Sequence, residues 1–177
     1  SELCGLAWED VDTVNWTLTI RRARVEAEYK VPKEQCRIRV VELVAPAIEY
    51  LKSQMAYSAH LPAHEITVKQ RDNISEKVEF VRFVFWNEYQ TQRQPWHYSS
   101  TLRRFGELLR VAGVRHRGPN QCRHTFASQC LTHYIPLEWL ARQLGHSDTT
   151  MIKKHYGKFI PSDTPSMAGW VSKQLGF

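Results

Sequence analysis

Three short segments in the second half of the chain carry an arginine, a histidine and a tyrosine that could act together: Arg123, His146 and Tyr156. An arginine guanidinium presents its donors in a rigid fork that matches the oxygens of a phosphate. A histidine can donate to a further oxygen or transfer a proton near neutral pH. A tyrosine, whose ordinary pKa is about 10, becomes a nucleophile when cationic neighbours favour its phenolate. These residue types therefore suit in-line displacement at a phosphodiester, where catalysis depends mainly on positioning and on neutralising charge.

The sequence lacks the motifs of other phosphoryl-transfer enzymes. Its Asp and Glu residues do not cluster as in a two-metal nuclease, and it has no glycine-rich phosphate loop. The histidines around Tyr156 lack the spacing of a zinc site. The 4 cysteines show no CxxC spacing and are expected to be free thiols in a reducing cytoplasm. We therefore expect phosphoryl transfer without a metal or another cofactor.

The composition favours an anionic partner. The 177 residues, a length typical of one domain with at most a small appendage, include 24 Lys and Arg against 18 Asp and Glu, which gives a net charge of +6. Nucleic acid is the commonest partner of such a basic domain. No apolar run approaches the roughly 18 residues of a membrane span, and no signal peptide opens the chain, so we expect a cytoplasmic protein that does not bind membranes. Two groups of arginines are either DNA-facing or simply solvated: Arg21, Arg22, Arg24, Arg37 and Arg39, and Arg103, Arg104, Arg110, Arg115 and Arg117.

The first half of the chain is expected to contain a small antiparallel sheet of three strands. Residues 15–25 and 37–43 alternate apolar and polar side chains, which is the period of half-buried strands. Residues 60–77 show no clear period and are interpreted as a loop or insertion. Residues 80–86 are aromatic and branched, which indicates a short buried strand or a segment beneath the helices.

The elements that carry the candidate residues are expected to be helices. Apolar residues at helical spacing predict a helix that begins near residue 99 and ends at Gly113. Further helices are predicted over residues 46–55, 119–131, 136–144, 149–156 and 166–175, several of them opened by a proline. The predicted fold class is therefore mainly α with a small antiparallel β-sheet (α+β).

At these motifs the sequence resembles the catalytic domain of tyrosine recombinases, the phage integrase family of the lambda-integrase type. The segments CRHTFAS, QLGHSDTTMI and KKHYGKFI match, in order, the family's Arg-His-Thr-Phe-Ala box, its Leu-Gly-His box and the segment of its nucleophilic tyrosine. The opening SELCGLAWEDVD is similar to the family's first box, and VPKEQCRIRVVEL is similar, more loosely, to its lysine-bearing hairpin. The resemblance covers nearly the whole chain. It implies the integrase catalytic-domain fold over residues 1–161, followed by a helical tail over residues 162–177.

The resemblance implies a role for each candidate residue. Tyr156 would attack the scissile phosphate, form a 3′-phosphotyrosine link and free a 5′-hydroxyl. Arg123 would hold the non-bridging oxygens with the help of His146, and Lys33 would protonate the leaving 5′-oxygen as the general acid. Lys30 is a near rival of Lys33 for that role. Attack by the 5′-hydroxyl of a partner strand would reverse the step, so no ATP would be needed.

Two features depart from the family pattern. The first catalytic arginine of the family should lie immediately upstream of Ser1, so the chain is expected to be an excised piece that is nearly inactive in isolation. Asn120 stands three residues before Arg123, where the family usually has a histidine. It can donate a hydrogen bond to phosphate, or simply cap its helix, but it cannot act as an acid or base. His124 points about 100° away from Arg123 on the same helix and is expected to be a buried, hydrogen-bonded structural histidine.

The implied function is site-specific cleavage and rejoining of DNA, for integration or excision of a phage or another mobile element. The implied partner is double-stranded DNA at attachment-type sites. The protein would be a monomer in isolation and a tetramer on synapsed DNA, with an accessory directionality factor as a further candidate partner. Its location would be the bacterial cytoplasm, and the nucleoid when it is bound to DNA. The tail could pack on a neighbouring protomer or on its own domain.

Three other functions stay open at this point. A catalytically impaired DNA-binding remnant would bind DNA with a steep salt dependence and form no covalent link. A type IB topoisomerase would use the same tyrosine and arginine chemistry to relax supercoils without site preference, although the Leu-Gly-His box and the tail suit integrases better. A metal-dependent nuclease is the most distant alternative, and insensitivity to EDTA would exclude it.

Overall fold

The computed structural model describes residues 1–32, 38–87, 94–159 and 167–176, so the predicted general acid Lys33 lies outside the described residues. The helices are α1 (Ala45–Ser58), α2 (Tyr98–Val111), α3 (Asn120–Thr132), α4 (Leu137–Leu144), α5 (Thr150–Tyr156) and α6 (Met167–Leu175). The strands are β1 (Val11–Asp12), β2 (Thr17–Ile20), β3 (Ala23–Val25), β4 (Glu28–Lys30), β5 (Arg39–Glu42), β6 (His64–Lys69), β7 (Glu76–Val81), β8 (Trp86–Asn87) and β9 (Gln94–Pro95). These elements confirm the predicted α+β class.

The first sheet is antiparallel and has the order β1-β2-β5. Its register pairs Thr17 of β2 with Glu42 of β5, and Ile20 with Arg39. The pairing predicted between residues 15–25 and 37–43 is therefore confirmed for β2 and β5. Apolar residues of this sheet pack with Leu51 of α1 in one of the hydrophobic clusters.

The predicted strand over residues 15–25 is divided between two sheets. Arg22 lies at the division, and its side chain is only 2% exposed. Its guanidinium donates to Asp10 at 2.7 Å and to Glu79 of β7 at 2.7 Å. Because a buried charge is costly unless it is paired, these two carboxylates fix the point where the chain leaves the first sheet.

The second sheet has the order β3-β4-β6-β7. Strands β3 and β4 form an antiparallel hairpin, β4 and β6 are parallel, and β6 and β7 are antiparallel. This sheet shows that the interpretation of residues 60–77 as a loop was wrong for β6 and for the start of β7. Strand β6 buries Ile66 and Val68 and exposes Glu65 and Thr67, a period-two pattern only a few residues long. The β content is thus larger than the single small sheet that we predicted.

Residues 80–86 are divided between the end of β7 and β8, with a β-bridge between Phe83 and Ala7. Val81 and Phe83 are each 1% exposed, which confirms that much of this segment is buried. The ring of Phe83 stacks on Tyr29 of β4 with 5.4 Å between centroids. The hydrophobic cluster of the second sheet consists of Ala7, Tyr29, Ile66, Val68, Val81, Phe83 and Trp86.

The predicted helices are all present with closely similar bounds. Helix α1 has Pro46 in its first turn, where a proline costs no hydrogen bond, and α2 is followed by Gly113 with φ of +67°. Helices α3, α4 and α5 share a cluster that consists of Ala127, Leu131, Leu140, Ala141, Leu144, Ile152 and Tyr156. None of the described helices is both long and apolar enough to cross a membrane.

Candidate active site

Helices α3 and α4 bring Arg123 and His146 into contact. Arg123 lies in the first turn of α3, and its Nη2 donates to the carbonyl of Leu144 at 2.5 Å. The same nitrogen lies 2.9 Å from Nε2 of His146. Since a guanidinium has only donors, Nε2 of His146 accepts in this arrangement. Two predicted site residues that are 23 positions apart in the sequence therefore form one unit.

The end of α4 explains how His146 reaches Arg123. Gly145 caps the helix in the left-handed region, with φ of +71° and ψ of 38°, a conformation that glycine adopts at little cost. The backbone N–H of His146 then donates to the carbonyl of Ala141 at 2.9 Å. This reversal turns the chain back over α3 and leaves the Leu144 carbonyl available to Arg123.

Arg39 of β5 holds the same turn from the other side. Its Nε donates to the carbonyl of Gln143 at 3.1 Å, and its two terminal nitrogens donate to the carboxylate of Glu2 at 3.1 and 3.0 Å. The guanidinium packs so closely on Gly145 that a Cβ there would lie 2.9 Å from Nη1 of Arg39. Arg39 therefore ties the first sheet to the turn that carries His146.

Several arginines that we had considered as DNA-facing are in fact internal. Arg22 and Arg24 are buried, and the side chain of Arg39 is 11% exposed. The alternating pattern of the strands could not distinguish an arginine that faces solvent from one that faces acceptors within the fold.

The surroundings of Arg123 shift the pKa of its guanidinium. Burial lowers the pKa of Arg123, and the nearby positive charge of Arg39 lowers it further, whereas Tyr156 and Glu2 act in the opposite direction. An arginine titrates so far above neutrality that Arg123 remains a cation at pH 7. Two guanidinium groups thus act on the same small region.

Tyr156 is the last residue of α5 and belongs to the helical core. It is 5% exposed, and its hydroxyl oxygen lies 2.8 Å from Nδ1 of His124. The two ring centroids are 5.6 Å apart. We had expected His124 to make a structural hydrogen bond, and the structure places that bond on the predicted nucleophile. The contact between His124 and Tyr156 depends on the packing of α3 against α5, which the sequence does not record. The only sequence signal for His124 was its position directly after Arg123.

Asn120 and Lys30 lie away from these contacts. Asn120 is exposed at the start of α3 and lines the cleft described below together with Arg123. Lys30 forms an ion pair with Glu28 at 2.7 Å, and this carboxylate, which also accepts from Lys69, has a pKa lowered to about 2 by the two lysines. The role of Lys33 stays a prediction.

An open cleft of about 920 Å³ lies beside Arg123 and His146. Its lining includes Glu2, Arg39, Asn120, Arg123, Gly145 and His146. Arg123 and His146 thus border a cavity large enough for a phosphodiester, and the positive charge of Arg123 favours an anionic occupant, whereas the charge of Arg39 is paired with Glu2. Among the described residues, no three His, Cys, Asp or Glu side chains are grouped so that they could hold a metal ion.

Comparison with known proteins identifies the family. Residues 1–159 match the phage integrase family. The chain is 34% identical over 179 residues to IntQ of Escherichia coli (strain K12), a protein whose name marks it provisionally as defective, and the alignment covers 98% of this chain and 45% of IntQ. It is 35% identical over 162 residues to the prophage integrase IntR of the same strain, and this alignment covers 90% of this chain and 39% of IntR. The chain therefore belongs to the phage integrase family of tyrosine recombinases, and it spans less than half the length of these relatives.

Solved structures show the same fold. The Tn1549 transposon integrase in complex with transposon right end DNA superposes with a TM-score of 0.69 at 19% identity, covering 100% of this chain and 54% of that one. The XerA recombinase superposes with a TM-score of 0.61 at 18% identity, covering 98% of this chain and 50% of that one. These similarities confirm the predicted integrase catalytic-domain fold.

Proposed function

We propose that this chain is the catalytic part of a site-specific recombinase that cleaves and rejoins double-stranded DNA for a phage or another mobile element. The observation that supports the proposal is the contact of Arg123 with His146 at the edge of the cleft, with Tyr156 in the helical core close enough to act electrostatically on Arg123. A phosphodiester in that cleft would be attacked by Tyr156, which would form a 3′-phosphotyrosine link and release a 5′-hydroxyl. Lys33, or its rival Lys30, would donate the proton that the leaving oxygen takes up.

The contacts of Arg123 suit this role. A guanidinium has five N–H donors, and the Leu144 carbonyl and His146 both engage Nη2. Both of these acceptors are neutral in this arrangement, so the positive charge is held in place without being cancelled. The remaining donors and this charge would stabilise the phosphate as negative charge develops on its non-bridging oxygens. His146, half-buried at the edge of the cleft, would assist by holding Arg123 through Nε2.

Covalent trapping tests the proposal. A form of the protein that includes its upstream sequence would be incubated with a nicked DNA carrying the end of the element, so that the cleaved strand diffuses away and religation is prevented. We expect a protein–DNA band that resists SDS, is lost in Tyr156→Phe and persists in Tyr50→Phe, which changes an exposed tyrosine of α1. DNA binding without any covalent band would reject the proposal.

The impaired DNA-binding remnant is the second candidate, and Asn120 is the observation that favours it, because asparagine cannot move a proton. Bound DNA without a covalent link, in the same trapping assay, is the outcome that this candidate predicts. A relaxing topoisomerase would instead give covalent links on any duplex. Trapping on an unrelated DNA of equal length separates that alternative, and adding EDTA to the reaction tests for a metal-dependent nuclease.

The assembly follows from the proposed reaction. Strand exchange needs four strands to be cut and rejoined, so we propose a tetramer on synapsed attachment sites formed by a protein that is a monomer alone. A directionality factor would bias integration against excision. The tail, whose described part is α6, would pack either on a neighbouring protomer or on its own domain, and the domain boundary at residues 161 and 162 is part of the same proposal.

A further inference from the structure

The hydroxyl of Tyr156 has a basic nitrogen beside it. Nδ1 of His124 lies 2.8 Å from the hydroxyl oxygen, a distance typical of a hydrogen bond. His124 is half-buried on α3, in the helical turn that also presents Arg123. The packing of α3 against α5 therefore sets the position of both the predicted nucleophile and this imidazole.

Other groups near the hydroxyl are poorly suited to accept its proton. Arg123 acts electrostatically on Tyr156, but a guanidinium carries no lone pair for a proton. His146 directs Nε2 at Arg123, and His155 meets the edge of the Tyr156 ring with 6.4 Å between centroids. Within the described ranges, His124 is the residue whose basic nitrogen lies at hydrogen-bonding distance from this hydroxyl.

The asparagine at position 120 bears on the role of the contact between His124 and Tyr156. Asn120 occupies the position before Arg123 where the family usually has a histidine, and its amide can donate a hydrogen bond but cannot take a proton. An attack by tyrosine still requires that the phenolic proton leave, since a neutral phenol is a weak nucleophile. The chain needs an acceptor other than residue 120.

We propose that His124 is a catalytic residue that takes the phenolic proton as Tyr156 attacks, an inference that rests on the proposed recombinase function. In the forward step the proton passes from Tyr156 Oη to Nδ1 of His124, which is neutral beforehand and carries its own proton on Nε2. The Oη–P bond forms as the P–O5′ bond breaks, and the leaving 5′-oxygen takes a proton from the general acid. Rejoining runs in the opposite direction, and the imidazolium returns the proton to the tyrosine.

The charge balance supports this order of events. The imidazolium forms beside a phosphate that is becoming more negative, and Arg123 stabilises the phenolate character of Oη during the transfer. General-base catalysis of this kind typically contributes about 100-fold or more. We therefore expect His124→Ala and His124→Gln to slow covalent trapping by about 100-fold in the full-length protein, although glutamine can keep a hydrogen bond.

Two readouts separate a proton acceptor from a residue that only packs. Added imidazole is expected to restore trapping in His124→Ala, where the substitution leaves space, and to leave Tyr156→Phe inactive. A DNA whose 5′-bridging oxygen is replaced by sulfur has a leaving group that needs no proton. On that DNA the defect of His124→Ala should persist, whereas the defect of a Lys33→Ala variant should be relieved. The thermal midpoint and DNA affinity of each variant are measured in parallel.

Each outcome decides the question. The proposal is supported if His124→Ala loses covalent trapping, if imidazole restores it, and if the defect persists on the sulfur-substituted DNA. Full activity of His124→Gln, a loss that imidazole does not rescue, or a defect relieved by the sulfur substrate overturns it. Faster trapping in His124→Ala would also overturn it and would indicate that the bond restrains Tyr156 instead. If the unmodified protein binds DNA and forms no covalent link, the proposed function fails and not this inference alone.

Discussion

The β-rich region buries Arg22 and the helical region holds the half-buried Arg123, and the two regions treat the charge of these arginines differently. Arg22 is bound by the two carboxylates of Asp10 and Glu79, each at 2.7 Å. Arg123 is bound by a carbonyl at 2.5 Å and an imidazole at 2.9 Å. The first arginine is neutralised by its partners, whereas the second keeps its charge directed into a cleft.

This difference shows how burial alone fails to identify a functional arginine. A guanidinium paired with buried carboxylates links elements of the fold, and its charge is not available to a ligand. A guanidinium held by neutral acceptors is equally well oriented and still attracts an anion. Arg24 is also held by neutral groups, the Pro95 carbonyl at 2.8 Å and His97 at 2.9 Å, but its charge lies against the Tyr29 ring, 5.4 Å from the centroid. The nature of the partner therefore decides whether the charge of each arginine is available to a ligand.

The largest effect should come from breaking the Arg22 network. Burial raises the pKa of Asp10, because desolvation outweighs the attraction of Arg22 and Arg21. Asp10→Ala removes one of the two carboxylates that neutralise Arg22, so we expect unfolding free energy to fall by about 3–5 kcal/mol. Urea denaturation measures this loss, and Glu65→Ala, on the exposed face of β6, should change it by about 0.5 kcal/mol or less. A loss for Asp10→Ala as small as that control would show that the network does not hold the fold.

Removing Arg123 should affect the reaction more than the fold. Arg123→Ala leaves only neutral acceptors behind, so we expect a smaller loss of stability than for Asp10→Ala. Covalent trapping should fall by about 1000-fold, or about 4 kcal/mol of transition-state stabilisation. Arg142→Ala, on an exposed position of α4, is the matched control. Equal trapping by the two variants would contradict the assignment of Arg123 to the phosphate.

Gly145 joins the two regions, and an alanine there should weaken both. Gly145→Ala places a Cβ at φ of +71°, only 2.9 Å from Nη1 of Arg39. Gly113→Ala meets the same backbone strain at φ of +67° but no atom within 4 Å. We expect each to cost about 1–2 kcal/mol of stability from strain, with an additional loss of trapping only in Gly145→Ala. Equal trapping in the two variants would show that the Arg39 contact does not position His146.

The smallest effect is expected at Asn120. Asn120→His restores the residue usual in the family at an exposed position beside the cleft, so stability should hardly change. A second basic group near the phosphate should raise the trapping rate by a few-fold, since His124 already provides a proton acceptor. A gain of about 100-fold would instead indicate that the unmodified protein lacks an acceptor. Trapping rates for Asn120→His and Asn120→Ala, measured side by side, distinguish the two cases.

The helical region was more predictable than the β-rich region. Its helices are opened or closed by local signals such as Pro119, Pro136 and Gly145, and its apolar residues recur at helical spacing, so bounds and motifs could be read along the chain. Strand β6 was missed because six residues carry too short a pattern. In addition, its partner strand β4 is distant in the sequence: the register aligns Tyr29 with Val68 and Lys30 with Lys69, which are 39 positions apart. Parallel pairing over that distance depends on contacts that no local period records.

The sequence by itself determined the family, the α+β class and the candidate residues Arg123, His146 and Tyr156, because their motifs are contiguous and ordered. The tertiary structure alone decided which polar atoms meet: Arg123 with His146, Tyr156 with His124, and Arg39 with the Gly145 turn. It also decided which arginines are neutralised by buried carboxylates. The physical reason is that hydrogen bonding and charge compensation act over a few ångströms in space, whereas sequence patterns report only which face of its own element a residue occupies.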